Sequence, residues 1–352
     1  MQTLTVRAKS EYDIFIGKGL LKDCGKIISG IVGAKKAVIV TDDVVAGLYG
    51  DTVSQALSAV GIKSDFFVFE NGENSKSHDT LIRLYDFLSE KQITRSDILV
   101  ALGGGVVGDL TGFAAATYLR GLEVVQIPTT LLAMTDSSIG GKTAVNIKSG
   151  KNLVGSFKQP ACVICDTNTL ITLSDEIFTD GMAEVIKYGM IKDASLFELL
   201  NEKSEDMDME QVIVRCADIK RTVVEADEFD KGERMLLNFG HTLGHAIEKY
   251  YNYDGISHGK AVAIGMCVMS RYTEKAGLTK TGTIQRLSEC LAKYGLKTDT
   301  DIPLSELVGS CLNDKKRESD FINIIACEKV GASRIVKMSI PEFYKLLEVP
   351  YV

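Results

Sequence analysis

The stretch DILVALGGGVVGDLTGFAAATYL, residues 97–119, decides the fold. It opens as a short apolar run of strand type, passes through glycine, and continues with a helical pattern. A strand that turns through glycine into a helix is the unit of doubly wound α/β sheets. In residues 102–109, Leu-Gly-Gly-Gly-Val-Val-Gly-Asp, glycine lets the backbone approach a pyrophosphate with no Cβ in the way. The helix N-terminus that follows offers free N–H groups and a partial positive charge. The spacing is not GxGxxG, so the nucleotide reading rests on the strand–turn–helix context, against a plain tight turn that packs helix on strand.

The same alternation repeats on both sides. KAVIVTDD (36–43), SDFFVFENG (64–72), LEVVQIPTT (122–130) and ACVICDT (161–167) read as strands, with helical stretches at 45–60 and 77–91. In such sheets, ligands sit beyond the carboxyl ends of the strands. Asp42, at one of those ends, suits a ribose hydroxyl, although a lone Asp there is more often a turn or cap residue. Past about residue 168 long amphipathic patterns take over, at 180–203, 209–226, 239–251, 258–277 and 281–294. With 352 residues, two domains are expected: an α/β nucleotide-binding domain over 1–168 and a mainly α-helical domain over 169–352.

A net charge of −7 argues against non-specific nucleic-acid binding. No apolar run is long enough for a membrane span, and the N-terminus has no signal-peptide pattern, so a cytoplasmic protein is expected. Its eight cysteines are expected to be reduced. Cys162 and Cys165 form a CxxC, but within an apolar strand and with no second pair to complete a four-sulfur site.

Three of the four histidines fall between 241 and 258. His241 and His245 are i and i+4 in a helical run and share one face. His258 opens the next helical run, so a short helical hairpin brings it back to the pair. Neutral imidazoles suit a divalent transition metal, a carboxylate is expected as the third ligand, and Glu184 in GMAEVIKYG is the best placed by motif. Two His and one Glu leave a position open for a substrate oxygen or water. Around these motifs lie Arg120, Lys142, Asn146, Lys151, Asn152, Lys187, Lys220, Arg234 and Asn238. Each Lys alone is ordinarily a solvated surface residue. As a set on an acidic protein they suggest a substrate bearing both phosphate and carboxylate.

These residues resemble the 3-dehydroquinate synthases of the sugar-phosphate cyclase family. The resemblance is carried by GGGVVGDLTGFAAATYLRG, QIPTTLLAMTDSSIGGKTAVN, GKNLVGSFKQP, GMAEVIKYG, VVEADEFDKGERMLLNFGHTLGHAIE and HGKAVAIGM, in the family's order. It implies an N-terminal NAD-binding domain, a helical metal- and substrate-binding domain, an active site in the cleft between them, and a homodimer. It assigns Glu184, His241 and His258 to zinc or cobalt. Asp42, Glu73, Lys76, Gly104, Gly105, Asp109, Thr129, Thr130, Lys151 and Thr172 fall to NAD. Lys142, Asn152, Lys187, Lys220, Arg234, Asn238 and His245 fall to the substrate, while Arg120 reaches the partner's site. Lys315 or Lys316 would also reach the substrate.

The implied reaction converts 3-deoxy-D-arabino-heptulosonate 7-phosphate to 3-dehydroquinate and phosphate, a step of the shikimate pathway to aromatic amino acids. It runs by transient oxidation with NAD, phosphate elimination, re-reduction and aldol closure. His245, beside the metal, is a candidate proton carrier or phosphate partner. The chain departs from the family at ENGENSKS, which lacks a proline pair, at Lys260, where Glu is common, and at Asp320, where Gly is usual. Lys260 is expected to alter the hydrogen bonding around His258. The rival readings are a sibling cyclase making another carbocycle, a metal-dependent glycerol or alcohol dehydrogenase with net NADH production, and an inactive nucleotide-binding scaffold without metal.

Overall fold

The computed structural model of the chain describes residues 1–204, 206–313 and 320–350. Lys315 and Lys316 lie outside them. The chain forms two compact units, Met1–Ser174 with Met209–Phe229, and Asp175–Asp208 with Asp230–Val352. A single cut near 168 does not describe this division, because the helix Met209–Ala226 belongs to the first unit. Its buried side chains include Val212, Ile213, Cys216, Ala217, Val223 and Val224, and it packs on strand β1 (Gln2–Arg7) and the turn Ala133–Ser137. An apolar stripe in a sequence marks a helix face but not the body that covers it.

The first unit is built on a seven-stranded sheet. Its strands are β1, β2 (Glu11–Gly17), β3 (Lys36–Asp42), β4 (Lys63–Phe69), β5 (Ile98–Gly103), β6 (Glu123–Pro128) and β9 (Cys162–Asp166), in the order β1-β2-β9-β6-β5-β3-β4. All neighbours are parallel except β1 against β2. β7 (Lys142–Ile147) and β8 (Gly150–Phe157) form a separate antiparallel hairpin. Every residue of β5 is buried, which explains its unbroken apolar run. Ile98, Val100 and Leu102 feed one core, and Leu99 and Ala101 the other. Burial of each of these Ile, Val and Leu side chains contributes roughly 1.5–3 kcal/mol. From β3 the chain moves outward to β4 and then returns to β5 on the opposite side. The strand order therefore reverses between β3 and β5, where a doubly wound sheet opens its ligand crevice. Asp42 ends β3 and Gly103 ends β5.

The second unit holds the helices Asp175–Ile191, Ala194–Glu202, His241–Tyr250, His258–Lys275, Thr283–Lys293, Leu304–Asn313 and Ile340–Leu346. It also contains an antiparallel hairpin, β10 (Phe321–Lys329) with β11 (Ala332–Ser339). Leu243, Ile247, Ile264, Ile324 and Phe343 are among its core residues. The long pattern read over 180–203 is broken at Asp193, whose carboxylate accepts the Leu196 N–H at 3.0 Å and starts a new helix. Among the described residues no helix is long and apolar enough to cross a membrane. Cys162 and Cys165 are buried in β9, and all eight cysteines are free thiols.

Candidate active site

The first unit gathers its polar residues at the carboxyl ends of the strands. Gly104 is the N-cap of the helix Gly105–Thr117, in extended conformation, and a Cβ on it would stand 3.2 Å from Thr130 Cγ2. Farther along, a Cβ on Gly112 would fall 2.3 Å from Thr143 Cγ2. The glycines thus serve both readings: the first clears the helix N-terminus, and the later one lets the helix lie close on β7. Asp42 takes the cap role, with Oδ1 accepting the Val45 N–H at 2.9 Å. Thr130 Oγ1 likewise accepts from Ala133 N at 3.2 Å. Thr129 is buried, and its hydroxyl has no hydrogen-bond partner. Thr172 meets the Tyr49 hydroxyl at 2.5 Å.

Lys76 donates to Asp109 at 2.5 Å and to Asn152 Oδ1 at 2.6 Å. Glu73 accepts from the Asn146 side chain at 2.7 Å, and Asn146 Oδ1 accepts the Asn152 N–H at 3.0 Å. This network ties the β7–β8 hairpin to the glycine-led helix and to the loop after β4. Burial raises the pKa of Asp109 against the lowering pull of Lys76. Lys220 is buried and bonds the carbonyl and carboxylate of Asp136. Lys142, first in β7, is exposed, and Lys151 is half-buried in β8. Arg120 is exposed in a left-handed turn with Leu119, at φ 66° and 50°.

In the second unit, Glu184 meets two of the histidines. Its Oε1 lies 3.3 Å from His241 Nε2 and 3.2 Å from His258 Nε2. Lys187, one turn along the same helix, pairs with Oε2. Glu184 is 1% exposed, and its two oxygens have no hydrogen bond of ordinary geometry, only these facing nitrogens. The ring of His245 lies 5.3 Å from that of His241 and 6.1 Å from that of His258.

Local sequence explains the convergence. Gly259 lets the start of the helix His258–Lys275 meet the helix of Glu184, since a Cβ there would be 2.0 Å from the Asp180 carbonyl oxygen. Asp180 Oδ1 also accepts the Lys260 N–H at 3.2 Å. Gly265 allows the other approach, where a Cβ would be 2.1 Å from the Gly240 carbonyl oxygen.

The electrostatics favour a cation. The Glu184 carboxyl is held well below its usual range: burial opposes this, but the charges of Lys187 and His241 outweigh it. Burial would lower His258, yet Glu184 and Glu248 together raise it to about 10. The cluster thus draws positive charge to one point. The atoms of Glu184, His241 and His258 lie within 4.8 Å of one another, and a carboxylate with two imidazoles is a fitting donor set for zinc or cobalt. His245 keeps an exposed face, while the protein wall around it and then its two neighbouring rings push its pKa down to about 3. It stays neutral at pH 7.

Arg234, buried, and Asn238 share the short turn Glu233–Asn238 that leads into the helix of His241. Two residues escaped the sequence reading. Glu248 is 2% exposed, with Oε2 3.3 Å from His258 Nδ1. Its spacing held the signal, since 241, 245 and 248 are i, i+4 and i+7 on one helix. Asp136 had none beyond its place in DSSIGG. Lys260 does not act on His258, because its ammonium goes to Glu176 at 2.5 Å.

Comparison with known proteins places the chain in a family. A family model described as 3-dehydroquinate synthase N-terminal matches residues 66–180, and one described as 3-dehydroquinate synthase C-terminal matches 181–317. The 3-dehydroquinate synthase of Clostridium kluyveri is 48% identical over 98% of this chain and 97% of its own. That of Enterococcus faecalis is 45% identical over 98% of each. Among solved structures, 2-epi-5-epi-valiolone synthase from Streptomyces hygroscopicus, with NAD+ and Zn2+ bound, superposes with a TM-score of 0.87 at 24% identity over 98% of both chains. A 2-deoxy-scyllo-inosose synthase complexed with carbaglucose-6-phosphate, NAD+ and Co2+ gives 0.83 at 23%, over 98% of this chain and 99% of that one. These two likenesses speak for the fold. The sequence matches, which run through both halves in order, go further: the chain belongs to the 3-dehydroquinate synthase family.

Proposed function

We propose that this enzyme converts 3-deoxy-D-arabino-heptulosonate 7-phosphate to 3-dehydroquinate and phosphate, with NAD and a divalent zinc or cobalt ion bound. The observation that carries the reading is the convergence of His241 Nε2 and His258 Nε2 on the buried Glu184 carboxylate. When bound, the cation supplies Lewis acidity toward substrate oxygens, and NAD supplies reversible hydride acceptance.

The chain's own residues do the rest. Gly104 and Gly105 clear a helix N-terminus for the pyrophosphate, and Asp42, Glu73, Lys76, Asp109, Thr129, Thr130, Lys151 and Thr172 line the rest of the NAD site, with Asp42 suited to a ribose hydroxyl. The unpartnered hydroxyl of Thr129 supports this assignment. Lys142, Asn152, Lys187, Lys220, Arg234 and Asn238 offer donors to the substrate's phosphate and carboxylate, and fixed donors hold developing negative charge without reorganising. Lys187 also steadies the Glu184 carboxylate. Neutral His245 offers a ring N–H to the substrate's phosphate. The working form is a homodimer in which Arg120, exposed in its left-handed turn, serves the partner's site.

The test is phosphate release from the seven-carbon substrate with NAD and zinc or cobalt, followed alongside absorbance for NADH. Phosphate release with no net NADH, stopped by a chelator, is expected. Metal-loaded protein that releases no phosphate would overturn the reading, and net NADH from a simple polyol would turn it toward a dehydrogenase.

A further inference from the structure

We propose that Glu248 is a positioning residue of the metal centre, fixing His258 in the tautomer that turns its Nε2 lone pair toward the cation. The inference rests on the metal reading above and names a residue that reading does not use. Glu248 lies on the helix His241–Tyr250, two turns from His241, and is 2% exposed. Its Oε2 faces His258 Nδ1 at 3.3 Å, while His258 Nε2 faces Glu184 at 3.2 Å.

The two nitrogens of one ring therefore have different tasks. A carboxylate at Nδ1 holds the ring proton there, which leaves Nε2 as the electron-pair donor. His241 shows the same division with a neutral acceptor: its Nδ1 lies 3.2 Å from the Phe239 carbonyl oxygen and its Nε2 3.3 Å from Glu184 Oε1. A carbonyl only accepts, so the proton of that ring sits on Nδ1. Both rings thus turn Nε2 to one point, and each is locked from behind. The locks differ in charge, and only the one behind His258 adds a full negative charge to its ring, raising its strength as a donor.

Glu248 could instead be a ligand itself, because its oxygen, a His245 nitrogen and a His258 nitrogen also lie within 4.8 Å of one another. The geometry favours the positioning role, since joining that second group would take His258 through Nδ1 and leave Glu184 with one imidazole.

The experiment compares metal-stripped wild type, Glu248→Gln and Glu248→Ala. Zinc affinity is measured by competition with a chromophoric chelator, the cobalt form by visible absorption, and the His258 tautomer in the zinc form by 15N NMR of labelled histidine. Gln keeps the volume and an acceptor oxygen, so it guards against simple misfolding. A graded loss is expected, about tenfold for Gln and toward a hundredfold for Ala. The cobalt band pattern should stay unchanged, and the Nδ1–H tautomer should persist in Gln and be lost or mixed in Ala. Unchanged affinity in both folded variants overturns the inference alone. A cobalt spectrum showing a lost ligand overturns it by making Glu248 a ligand. Wild type that binds no divalent cation removes the metal reading and this inference together.

Discussion

Lys76 shows how a single side chain holds several segments in place. It is 5% exposed and bonded to Asp109 and Asn152. Replacing it by Met leaves a carboxylate desolvated without its cation, so Lys76→Met should cost about 3 kcal/mol in urea unfolding. The pH dependence has a definite sign. The folded-state pKa of Asp109 is raised, so the folded chain holds that proton more tightly than the unfolded chain, and stability falls as pH rises through the window between the two values. Losing Lys76 pushes the folded value higher, so the variant should recover stability relative to wild type as the pH is lowered from neutrality. An unchanged difference as the pH falls would refute the account. The grouping of His241 with His258 could be read from helical spacing and a short histidine list, whereas Glu184, which faces both, was picked out by its motif GMAEVIKYG. Asp136 was not legible, because an acidic residue in a turn looks like a solvated one until its neighbours are known, and Glu248 left only its helical spacing as a sign.

The helices of the metal centre depend on backbone contact more than on charge. At Gly259 a Cβ would stand 2.0 Å from a carbonyl oxygen, and backbone cannot yield as a side chain can. Gly259→Ala should therefore separate the helices carrying Glu184 and His258, costing about 1–3 kcal/mol and weakening zinc binding. Thermal unfolding and chelator competition would check this, and a variant that matches wild type in both would show that the helices can slide. Lys260, the next residue, makes the contrast. Its ion pair with Glu176 is surface-exposed, so Lys260→Met should change stability by less than about 1 kcal/mol and leave metal affinity intact. Most of these elements were legible from periodicity, the parallel strands best of all, because burial on both faces makes them unbroken apolar runs. The hairpins β7–β8 and β10–β11 were harder. β8 is largely exposed, and the glycines Gly140 and Gly141 directly before Lys142 mask the start of β7.

Function also has to be tested on the assembled protein. If Arg120 serves a partner's site, Arg120→Ala and His258→Ala should each be inactive alone, because every site then lacks one part. Mixed after dissociation, they should recover about a quarter of wild-type turnover, since half of random dimers are mixed and each holds one complete site. Mixtures as inactive as the single variants would exclude a shared site. The two-part organisation was legible in the shift from alternating to helical patterns, but the membership of the helix Met209–Ala226 was not, because it depends on which surface covers its apolar face.

That membership also sets the order in which the protein can be made. The first unit is not complete until Phe229, about 55 residues beyond Ser174, and the second has begun at Asp175. At the usual pace of translation the sheet waits on the order of 3–10 s for its last helix. During that interval the helix bearing Glu184 has been synthesised, while His241 and His258 have not. Neither half can finish on the ribosome before the other has started, so a message truncated at residue 174 would encode a sheet lacking its final cover rather than a usable nucleotide-binding module.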